Sequence, residues 1–263
     1  DTGNLNMFHQ SIGSLTLLDD YRRWRDRVFI DELFKSESRG QSSDTQGGYY
    51  YPNGKAKAAG GASLNAYTAT EYASERFKFN VKTDLLEVVK SLRKRHVPVF
   101  ADGYYRCIAD PSFMKDLRAD QGFREVARYP GMGQGSPLMG AGAPNQAIYA
   151  GGQYGQAQFV AGEPVMPSGF VFEGVRFFES TNFPSKTITV DIGDGNGAVS
   201  KTTPAGLFFG PQAIGVGIGG PNAQVLINNN DDFSRFIILI WQLYAGFANL
   251  NKDFITTAFT ITE

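Results

Sequence analysis

The sequence is short of the side chains on which most enzyme chemistry depends. It has one cysteine, Cys107, and two histidines, His9 and His96. A single cysteine excludes an intramolecular disulfide, and it supplies too few thiolates for a cysteine-bound zinc ion. Two histidines leave almost nothing for a histidine metal centre or a histidine-based triad. The composition therefore supplies few of the side chains that commonly take part in catalysis.

The sequence also lacks an excess of charge and a long apolar run. Its 25 basic and 26 acidic residues give a net charge of −1, which argues against a free nucleic-acid-binding protein. The longest apolar stretch, Phe236–Ala248, is interrupted by Gln242 and Gly246, whereas a membrane-spanning helix needs about 20 consecutive apolar residues. We therefore expect no membrane anchor. The first residues lack the pattern of a signal peptide, and the missing initiator Met predicts a processed chain or a piece of a longer product.

Glycine and aromatic residues are abundant instead. The 263 residues include 31 glycines, 21 phenylalanines and 12 tyrosines. This usage indicates many turns and extended segments rather than a helical bundle. The length allows one large domain or two intertwined subdomains. The order of helix-like and strand-like segments along the chain then predicts an α+β fold with two interwoven subdomains.

The first strong pattern predicts a helix over Leu15–Ser38. Its apolar positions recur every three or four residues, and they are Leu17, Leu18, Tyr21, Trp24, Val28, Phe29 and Leu33. The opposite face is dense in charge and consists of Arg22, Arg23, Arg25, Asp26 and Arg27. Two interpretations stay open: a solvated amphipathic helix, or an arginine-rich face that meets a neighbouring chain or a polyanion.

A long polar segment, Arg39–Ala66, follows and is predicted to be a loop. Compact domains rarely carry loops of this length without a function or mobility. Asn53-Gly54 supplies the positive backbone dihedrals of a tight turn. The preceding tyrosines, Tyr49, Tyr50 and Tyr51, either form a contact surface or pack within the loop, and the residues favour neither.

The middle of the chain has clear start and stop signals. Asp84, with Glu87 three residues later, predicts the capped start of a helix that ends before Pro98. A strand is predicted over Gly103–Ala109, and Asp110-Pro111 then begins another helix. Further along, the chain is predicted to make a glycine-rich excursion and then a β-rich C-terminal part. The excursion is Gly131–Gly169, and the strands are Gly169–Val175, Phe177–Glu179, Thr187–Asp191, Leu207–Val216, Val225–Ile227, Phe233–Ala248 and, as one strand of a hairpin, Phe254–Ile261.

One segment fits a nucleotide-binding pattern formally. Gly215–Gly220 matches G-x-G-x-x-G, but Pro221 and a strand-like stretch follow it. A dinucleotide site needs a helix there, because the helix N-terminus holds the pyrophosphate. We therefore predict a turn at this segment.

Another segment could supply oxygen ligands for a hard cation. Asp191, Asp194 and Asn196 lie close together in sequence, without the terminal bidentate Glu of a helix–loop–helix calcium site. Asp-Gly and Asn-Gly pairs between strands are typical of hairpin turns, and we favour that interpretation.

Candidate nucleophiles are weak. Ser136 and Ser168 lack the G-x-S-x-G context of a nucleophile elbow, and Cys107 lies in an apolar strand, where a thiol is usually buried and inert. His96 is predicted at a helix end, a position that suits a structural role at least as well as acid–base chemistry. A hydrolase using Asp191, Asp194 or Ser168 would need a pocket that the sequence does not indicate.

Taken in order, these segments resemble the major capsid protein of tailed bacteriophages, whose fold was first seen in phage Hong Kong 97. The Leu15–Ser38 helix stands where that family has its long spine helix. LLEVVKSLRKRHVPV followed by GYYRCIADPSFMKDLRAD is similar to the helix, strand and second helix of its axial domain. FVFEGVRFFESTNFP and the stretch from LFFGPQAIGVGIGG onward resemble its returning and closing strands. The local strings are most similar to podovirus coat proteins.

The resemblance implies a Hong Kong 97-like fold with two domains. A peripheral domain would contain the spine helix and a β-sheet, and an axial domain would contain helices around a β-sheet. Residues 1–83 would form the N-terminal part of the peripheral domain, 84–220 the axial domain with the excursion 131–169, and 221–263 the strands that return. Family members usually have an N-terminal arm and an extended loop before the spine helix. About 14 residues stand there in this sequence, so we expect that portion to be missing or cleaved, or its bracing to come from another segment.

The resemblance also implies the function. It predicts a virion protein, assembled in the host cytoplasm, that forms an icosahedral shell around a double-stranded DNA genome, with no enzymatic activity, cofactor or metal. Its implied partners are copies of itself in hexamers and pentamers, cement, scaffold and portal proteins, and packaged DNA in non-specific contact, without a membrane. Arginine and aromatic residues are enriched at interfaces, so the expected contact residues are Arg22, Arg23, Trp24, Arg27, Tyr49, Tyr50 and Tyr51. The alternative is a decoration or cement protein, or another auxiliary virion binding protein.

Overall fold

The described part of the chain contains four complete α-helices, and residues 121–123 are helical as well. This computed structural model describes residues 2–61, 63–123, 171–184, 186–219, 224–231 and 236–262. The helices are α1 (Thr2–Phe34), α2 (Ala69–Ala73), α3 (Leu86–Lys94) and α4 (Pro111–Ala119). The predicted excursion Gly131–Gly169 lies outside the described residues.

The same described ranges contain twelve strands. They are β1 (Gly48–Tyr50), β2 (Tyr105–Ala109), β3 (Val171–Phe172), β4 (Val175–Glu179), β5 (Thr187–Val190), β6 (Val199–Thr202), β7 (Ala205–Phe209), β8 (Ile214–Ile218), β9 (Gln224–Asp231), β10 (Phe236–Gln242), β11 (Ala245–Asn249) and β12 (Ile255–Phe259). Six of them form a mixed sheet in the order β1-β12-β7-β2-β4-β3, and the others form the two-stranded pairs β5–β6, β8–β11 and β9–β10.

The chain divides into two compact units, and each contains segments that are distant in sequence. The first unit comprises Asp1–Leu33 and Ile214–Leu250, that is, α1 with the β8–β11 and β9–β10 ribbons. The second comprises Phe34–Ala213 and Asn251–Glu263, and it contains the six-stranded sheet. The prediction of a mixed fold with two interwoven parts is confirmed. The assignment of peripheral and axial domains stays a prediction.

Two apolar clusters line the sheet of the second unit. The cluster around Leu85, Leu92 and Phe113 packs α3 and α4 against the sheet. The other cluster, around Tyr51 and Phe259, includes Ile188 of the β5–β6 hairpin. Because β1, β7 and β12 are buried on both faces, their side chains show no alternation between apolar and polar residues.

Strand β12 corrects the prediction for Phe254–Ile261. It is no hairpin strand: it lies inside the sheet, parallel to β1 and antiparallel to β7. Its two threonines are completely buried, and each has a polar partner. Ser36 Oγ lies 3.3 Å from Thr257 Oγ1, and the Arg95 guanidinium donates to Thr256 Oγ1 at 2.6 Å. Satisfied hydroxyls allow threonine to occupy a buried strand.

The first helix is longer at its start than predicted. It begins at Thr2 and ends at Phe34, and a 3₁₀ turn, Lys35–Arg39, follows it. The apolar stripe weakens before Leu15, where glycine and asparagine intervene, so periodicity gave no signal there. A backbone without proline still continues as a helix through this stretch.

The start of α3 also differs from the expectation. Asn80, not Asp84, caps this helical segment, since its side chain accepts a hydrogen bond from the Thr83 amide at 2.9 Å. A π-helical turn, Val81–Leu85, then leads into α3 and turns the Asp84 carboxylate inward. At α4 the predicted cap is confirmed: Asp110 accepts from the Ser112 amide at 2.8 Å, and Pro111 is the first helical residue.

The strand predicted over Leu207–Val216 is two strands, β7 and β8, in different units. Gly210 lies at the break, where the chain passes very close to its neighbours. A Cβ at this position would come within 2.4 Å of Val97 Cγ1 and 2.6 Å of the Pro98 carbonyl. Only glycine permits this approach. Strand β7 ends at Phe209, immediately before this glycine.

Candidate functional site

The three tyrosines predicted as contact residues lie in the core of the second unit. Tyr49 and Tyr50 are each 7% exposed, and Tyr51 is fully buried. Successive strand residues face opposite sides, so Tyr50 joins one apolar cluster, while Tyr49 and Tyr51 join the other. Tyr51 stacks on Phe259 with ring centroids 4.8 Å apart. This corrects the expectation of a contact surface at these positions, because the side chains pack inside the subunit.

Asp84 is the polar partner that holds this tyrosine segment. Its carboxylate accepts from the Tyr50 hydroxyl at 3.0 Å and from the Asn53 amide at 2.7 Å, and its other oxygen accepts from the Asn80 amide at 3.1 Å. Burial raises the pKa of Asp84 to about 6, although these three hydrogen bonds oppose the shift. Sequence reasoning placed Asp84 on a helix end and missed this role, since only tertiary contacts bring Tyr50 to it.

The turn after the tyrosines has the conformation that its sequence predicts. Asn53 has φ of 58° and Gly54 has φ of 66°. The turn does not close a hairpin, because β1 pairs with the distant strand β12. It instead delivers the Asn53 amide to Asp84.

Helix α1 presents the predicted arginine face. Arg23 and Arg27 are exposed one turn apart, with Thr16, Asp20 and Asp31 on the same stripe, while Arg22 and Trp24 are half-buried. Arg23 pairs with Asp19 at 2.9 Å, where both side chains are more than half exposed. An exposed pair of this kind contributes about 0–1 kcal/mol to stability. These arginines are therefore not needed to hold α1 together, and Arg23 and Arg27 face solvent.

The charged end of α3 is mostly engaged within the second unit. Lys90 pairs with Glu87 and Lys94 with Asp44, both at 2.6 Å. Arg95 is buried, its Nε donates to the Ser91 carbonyl at 3.2 Å, and burial lowers its pKa to about 10. Local contacts within the second unit account for these three cations. The burial of Arg95 gave no signal in the sequence.

The ribbon β8–β11 packs on α1 through residues of β11. Phe247 meets Phe29 edge to face, with ring centroids 6.1 Å apart. Asn249 Nδ2 donates to the Glu32 carbonyl at 2.7 Å. Residues directly opposite in an antiparallel pair lie on one face, so Val216 shares the face of Phe247, and Ile218 that of Ala245.

Strand β8 of this ribbon and the turn before β11 expose large apolar side chains. Val216 is 53% exposed, Ile218 58% and Tyr244, in the turn before β11, 64%. The ribbon comprising β8, Tyr244 and β11 is called the apolar ribbon below. Sequence reasoning predicted strands here without indicating which side chains the fold would leave uncovered.

The formal nucleotide pattern does not have the strand-to-helix structure of a dinucleotide site in the described residues. Gly215, Gly217 and Ile218 lie in β8, which pairs antiparallel with β11, and no α-helix follows them in the described ranges. The predicted turn is wrong in detail, because the segment is extended strand.

The Asp191–Gly197 segment is the predicted hairpin turn, between β5 and β6. Asp191 Oδ1 accepts from the Gly193 amide at 2.9 Å, and Asp194 Oδ1 accepts from the Asn196 amide at 3.0 Å. The oxygens that a cation would need thus serve the turn. Across the described ranges, no group of three or more His, Cys, Asp and Glu side chains is placed to hold a metal ion.

The candidate nucleophiles receive no support in the described part of the chain. Cys107 is fully buried, and burial raises the pKa of its thiol well above the ordinary value. His96 lies just after α3 with a φ of 56°, which ends the helix. Ser136 and Ser168 lie outside the described residues. No described helix is long and apolar enough to cross a membrane.

Comparisons with known proteins support a fold but no sequence family. No protein-family description and no curated protein matches this sequence. In structure, the chain is similar to a chain of the capsid of the cyanophage P-SCSP1u, with a TM-score of 0.50 and 16% identity. The alignment covers 96% of this chain and 66% of the cyanophage chain.

Two further structures are similar at lower scores. A chain of the acid-stable capsid of Helicobacter pylori bacteriophage KHP30 aligns over 93% of this chain and 68% of its own, with a TM-score of 0.48 and 11% identity. A chain of Mycobacterium phage Che8 aligns over 95% of this chain and 61% of its own, with a TM-score of 0.42 and 15% identity. The chain thus spans less than two thirds of the cyanophage and mycobacteriophage chains.

At this identity the likeness to the cyanophage chain shows the fold alone. It covers nearly the whole of this chain, and it agrees with the order of segments that the sequence presents. The resemblance to the capsid proteins of tailed phages is thereby confirmed at the level of fold: this chain has the mixed helix-and-sheet fold of a phage capsid protein.

Proposed function

We propose that this chain is a major capsid protein, which assembles with copies of itself into the icosahedral shell around a phage double-stranded DNA genome. The observation that carries the proposal is the fold shared with the cyanophage capsid chain across 96% of this chain. The scarcity of histidine and cysteine and the turn-bound oxygens of Asp191 and Asp194 are consistent with a structural rather than a catalytic role.

Assembly would rest on weak contacts repeated by symmetry. Rings of five and six subunits close through heterologous interfaces, in which one surface of a subunit meets a different surface of its neighbour. The exposed Arg23 and Arg27 and the half-buried Arg22 and Trp24 suit such contacts, because arginine and tryptophan are enriched at interfaces. The buried tyrosines would contribute only by supporting the subunit.

The proposal includes the domain roles and partners that the resemblance implies. Residues 1–83 and 221–263 would belong to a peripheral domain and 84–220 to an axial domain. Scaffold, portal and cement proteins, and non-specific contact with packaged DNA, are the proposed further partners. Assembly would take place in the host cytoplasm. The alternative is a decoration protein or another auxiliary virion protein bound to a shell made by another chain.

Negative-stain electron microscopy of the purified chain, with light-scattering mass on the same sample, tests the proposal. Shells, or rings of five or six subunits, are expected. A discrete trimer that forms no larger particle would favour the decoration role and contradict the proposal.

A charge reversal tests the arginine face directly. Arg23→Glu with Arg27→Glu should leave the melting temperature nearly unchanged, because both side chains are exposed, and should lower the yield of shells. The matched control is Lys82→Glu with Lys115→Glu, the same charge change at exposed lysines of the second unit. Equal shell yields from the two double variants would remove the arginine face from the proposal.

A further inference from the structure

The outer edges of the apolar ribbon have no neighbouring strand in the described ranges, although the Asn249 amide of β11 donates to Glu32 Oε1 at 3.3 Å. Strands β8 and β11 pair with each other, and in the described part of the chain neither pairs with a further strand. Free edges of this kind present N–H and C=O groups to any strand that approaches. Proteins usually protect such edges with charged side chains or proline.

The strands of the apolar ribbon carry none of these protections in their own sequences. Neither Ile214–Ile218 nor Ala245–Asn249 contains a charged residue or a proline. In the whole segment from Ile214 to Leu250, the charged residues are Asp231, which ends β9, and Asp232 and Arg235, which lie between β9 and β10 in sequence. The two strands of the apolar ribbon therefore offer no charge for an ion pair with a partner.

Side-chain exposure also indicates an apolar contact surface on this ribbon. The face of the ribbon is covered at Phe247 by Phe29 of α1, and it is more than half exposed at Val216 and Ile218. Tyr244 extends the exposed end, and its hydroxyl accepts a hydrogen bond from Gln242 Nε2 at 2.7 Å. Exposed apolar surface that continues from a packed face is typical of a surface that another chain covers.

The β5–β6 hairpin shows how this chain protects a ribbon that stays exposed. The Leu64 amide bonds the Thr189 carbonyl at 2.8 Å, and the Tyr67 amide bonds the Asp191 carbonyl at 2.9 Å, so the edge of β5 is occupied. Strand β6, which has no second strand neighbour in the part of the chain that the structure describes, carries Lys201. Protection is thus present on one ribbon and absent from the other.

We infer that the apolar ribbon is a docking surface for a second copy of this chain, with Val216, Ile218 and Tyr244 at the contact. The inference rests on the proposed function for the identity of the partner: in a shell built from one kind of subunit, the neighbour of each subunit is another copy. An uncharged surface also fits an uncharged surface of an identical chain without leaving a buried, unpaired charge.

Photo-crosslinking tests which chain covers the ribbon. Because Cys107 is fully buried, Ile218→Cys carries the one exposed thiol, to which a maleimide benzophenone can be attached. Labelled subunits are mixed with ¹⁵N-enriched subunits, assembled and irradiated, and the crosslinked peptides are identified by mass spectrometry. Val199→Cys on β6, where the valine is 37% exposed, is the matched control.

Crosslinks from position 218 that join a light and a heavy chain are expected, with several times fewer from position 199. Crosslinks only within one chain, for instance to residues 124–170, would overturn the inference. An absence of crosslinks from position 218 in assembled particles would also overturn it.

A charge substitution supplies the second readout. Ile218→Lys should keep the far-ultraviolet spectrum and melting temperature of the parent and lower the yield of assembled particles about tenfold or more, because a lysine would lose its hydration at the contact. Val199→Lys should assemble normally. Particle yields from Ile218→Lys equal to those of the parent would overturn the inference and leave the proposed function standing. A parent chain that forms only small oligomers crosslinked at position 218 would contradict the proposed function and leave the inference standing.

Discussion

The β5–β6 hairpin and the apolar ribbon are both two-stranded, antiparallel and partly exposed, but they differ in how far their apolar side chains are buried by the rest of the chain. Ile188 and Val190 of the hairpin are almost fully buried in an apolar cluster of the second unit. The apolar ribbon meets α1 at Phe247 and leaves Val216 and Ile218 more than half exposed. An isolated two-stranded ribbon is only marginally stable. The hairpin gains its support from its own chain, and the apolar ribbon has surface left for a neighbour.

The largest expected difference comes from shortening one isoleucine in each region. Ile188→Ala removes a buried side chain and should lower the free energy of unfolding by about 2–5 kcal/mol. Ile218→Ala should lower it by less than about 1 kcal/mol, since Ile218 is already exposed in the subunit. Urea unfolding of the unassembled chain, followed by circular dichroism, measures both. Equal losses would mean that the apolar ribbon is packed within the subunit.

The pH dependence of stability should distinguish the second unit, which contains Asp84, from the apolar ribbon. Burial raises the folded-state pKa of Asp84 to about 6, from an ordinary value of 3.8. The folded chain therefore holds this proton more tightly, so Asp84 makes the chain less stable as pH rises from about 4 to 6, by about 3 kcal/mol in total.

Asp84→Asn should remove the loss of stability that Asp84 ionisation causes. The difference in unfolding free energy between parent and variant should therefore change as pH rises from about 4 to 6. Because other carboxylates such as Glu37 titrate in both proteins, their contributions cancel in the difference between parent and variant. Burial alone would raise the pKa of Glu37, but hydrogen bonds from Lys186 and Lys57 outweigh it and lower the pKa. Ile218→Ala should retain the full pH dependence. A pH-independent difference between parent and Asp84→Asn would contradict the buried arrangement of Tyr50, Asn53 and Asp84.

Glycine substitutions give a smaller contrast. Gly193, in the hairpin turn, has φ of +74°, and a Cβ there would come within 2.4 Å of the Tyr67 carbonyl. Gly193→Ala should therefore cost about 1–3 kcal/mol of stability. Gly246, on β11, has open space where its Cβ would be, so Gly246→Ala should change stability by less than about 1 kcal/mol. Thermal melts of the two variants provide the comparison, and a larger loss from Gly246→Ala would contradict the open geometry of the apolar ribbon.

The smallest expected effect is the response to calcium. Asp191 and Asp194 already accept hydrogen bonds from the backbone of their own turn. A millimolar calcium titration should leave the melting temperature unchanged, and Asp194→Ala should behave as the parent does in that titration. A calcium-dependent rise in melting that Asp194→Ala abolishes would show that the turn binds the ion.

The features predicted well from sequence are those decided by neighbouring residues. The cap at Asp110, the turn at Asn53-Gly54 and the hairpin at Asp191–Gly197 each depend on a few consecutive side chains. The arginine face of α1 follows from helical periodicity alone. The resemblance to capsid proteins likewise depended on the order of such local segments.

The features that sequence could not supply are decided by distant contacts. Tyr49, Tyr50 and Tyr51 are buried because β12, about 200 residues later, lies beside them. A short strand covered on both faces shows no periodicity that would distinguish it from a loop. The inward turn of Asp84 depends on Tyr50 and Asn53, and the packing of Phe247 depends on Phe29 of α1, which is distant in sequence.

A cryo-electron microscopy reconstruction of particles assembled from this chain would show both the shell and the surroundings of the apolar ribbon. We expect closed shells in which the chain occupies fivefold and sixfold rings, with Val216 and Ile218 within about 4.5 Å of side chains of a neighbouring copy. Particles in which the apolar ribbon faces solvent would contradict the docking inference. A chain that forms no shell, and instead decorates one made by another protein, would contradict the proposed function.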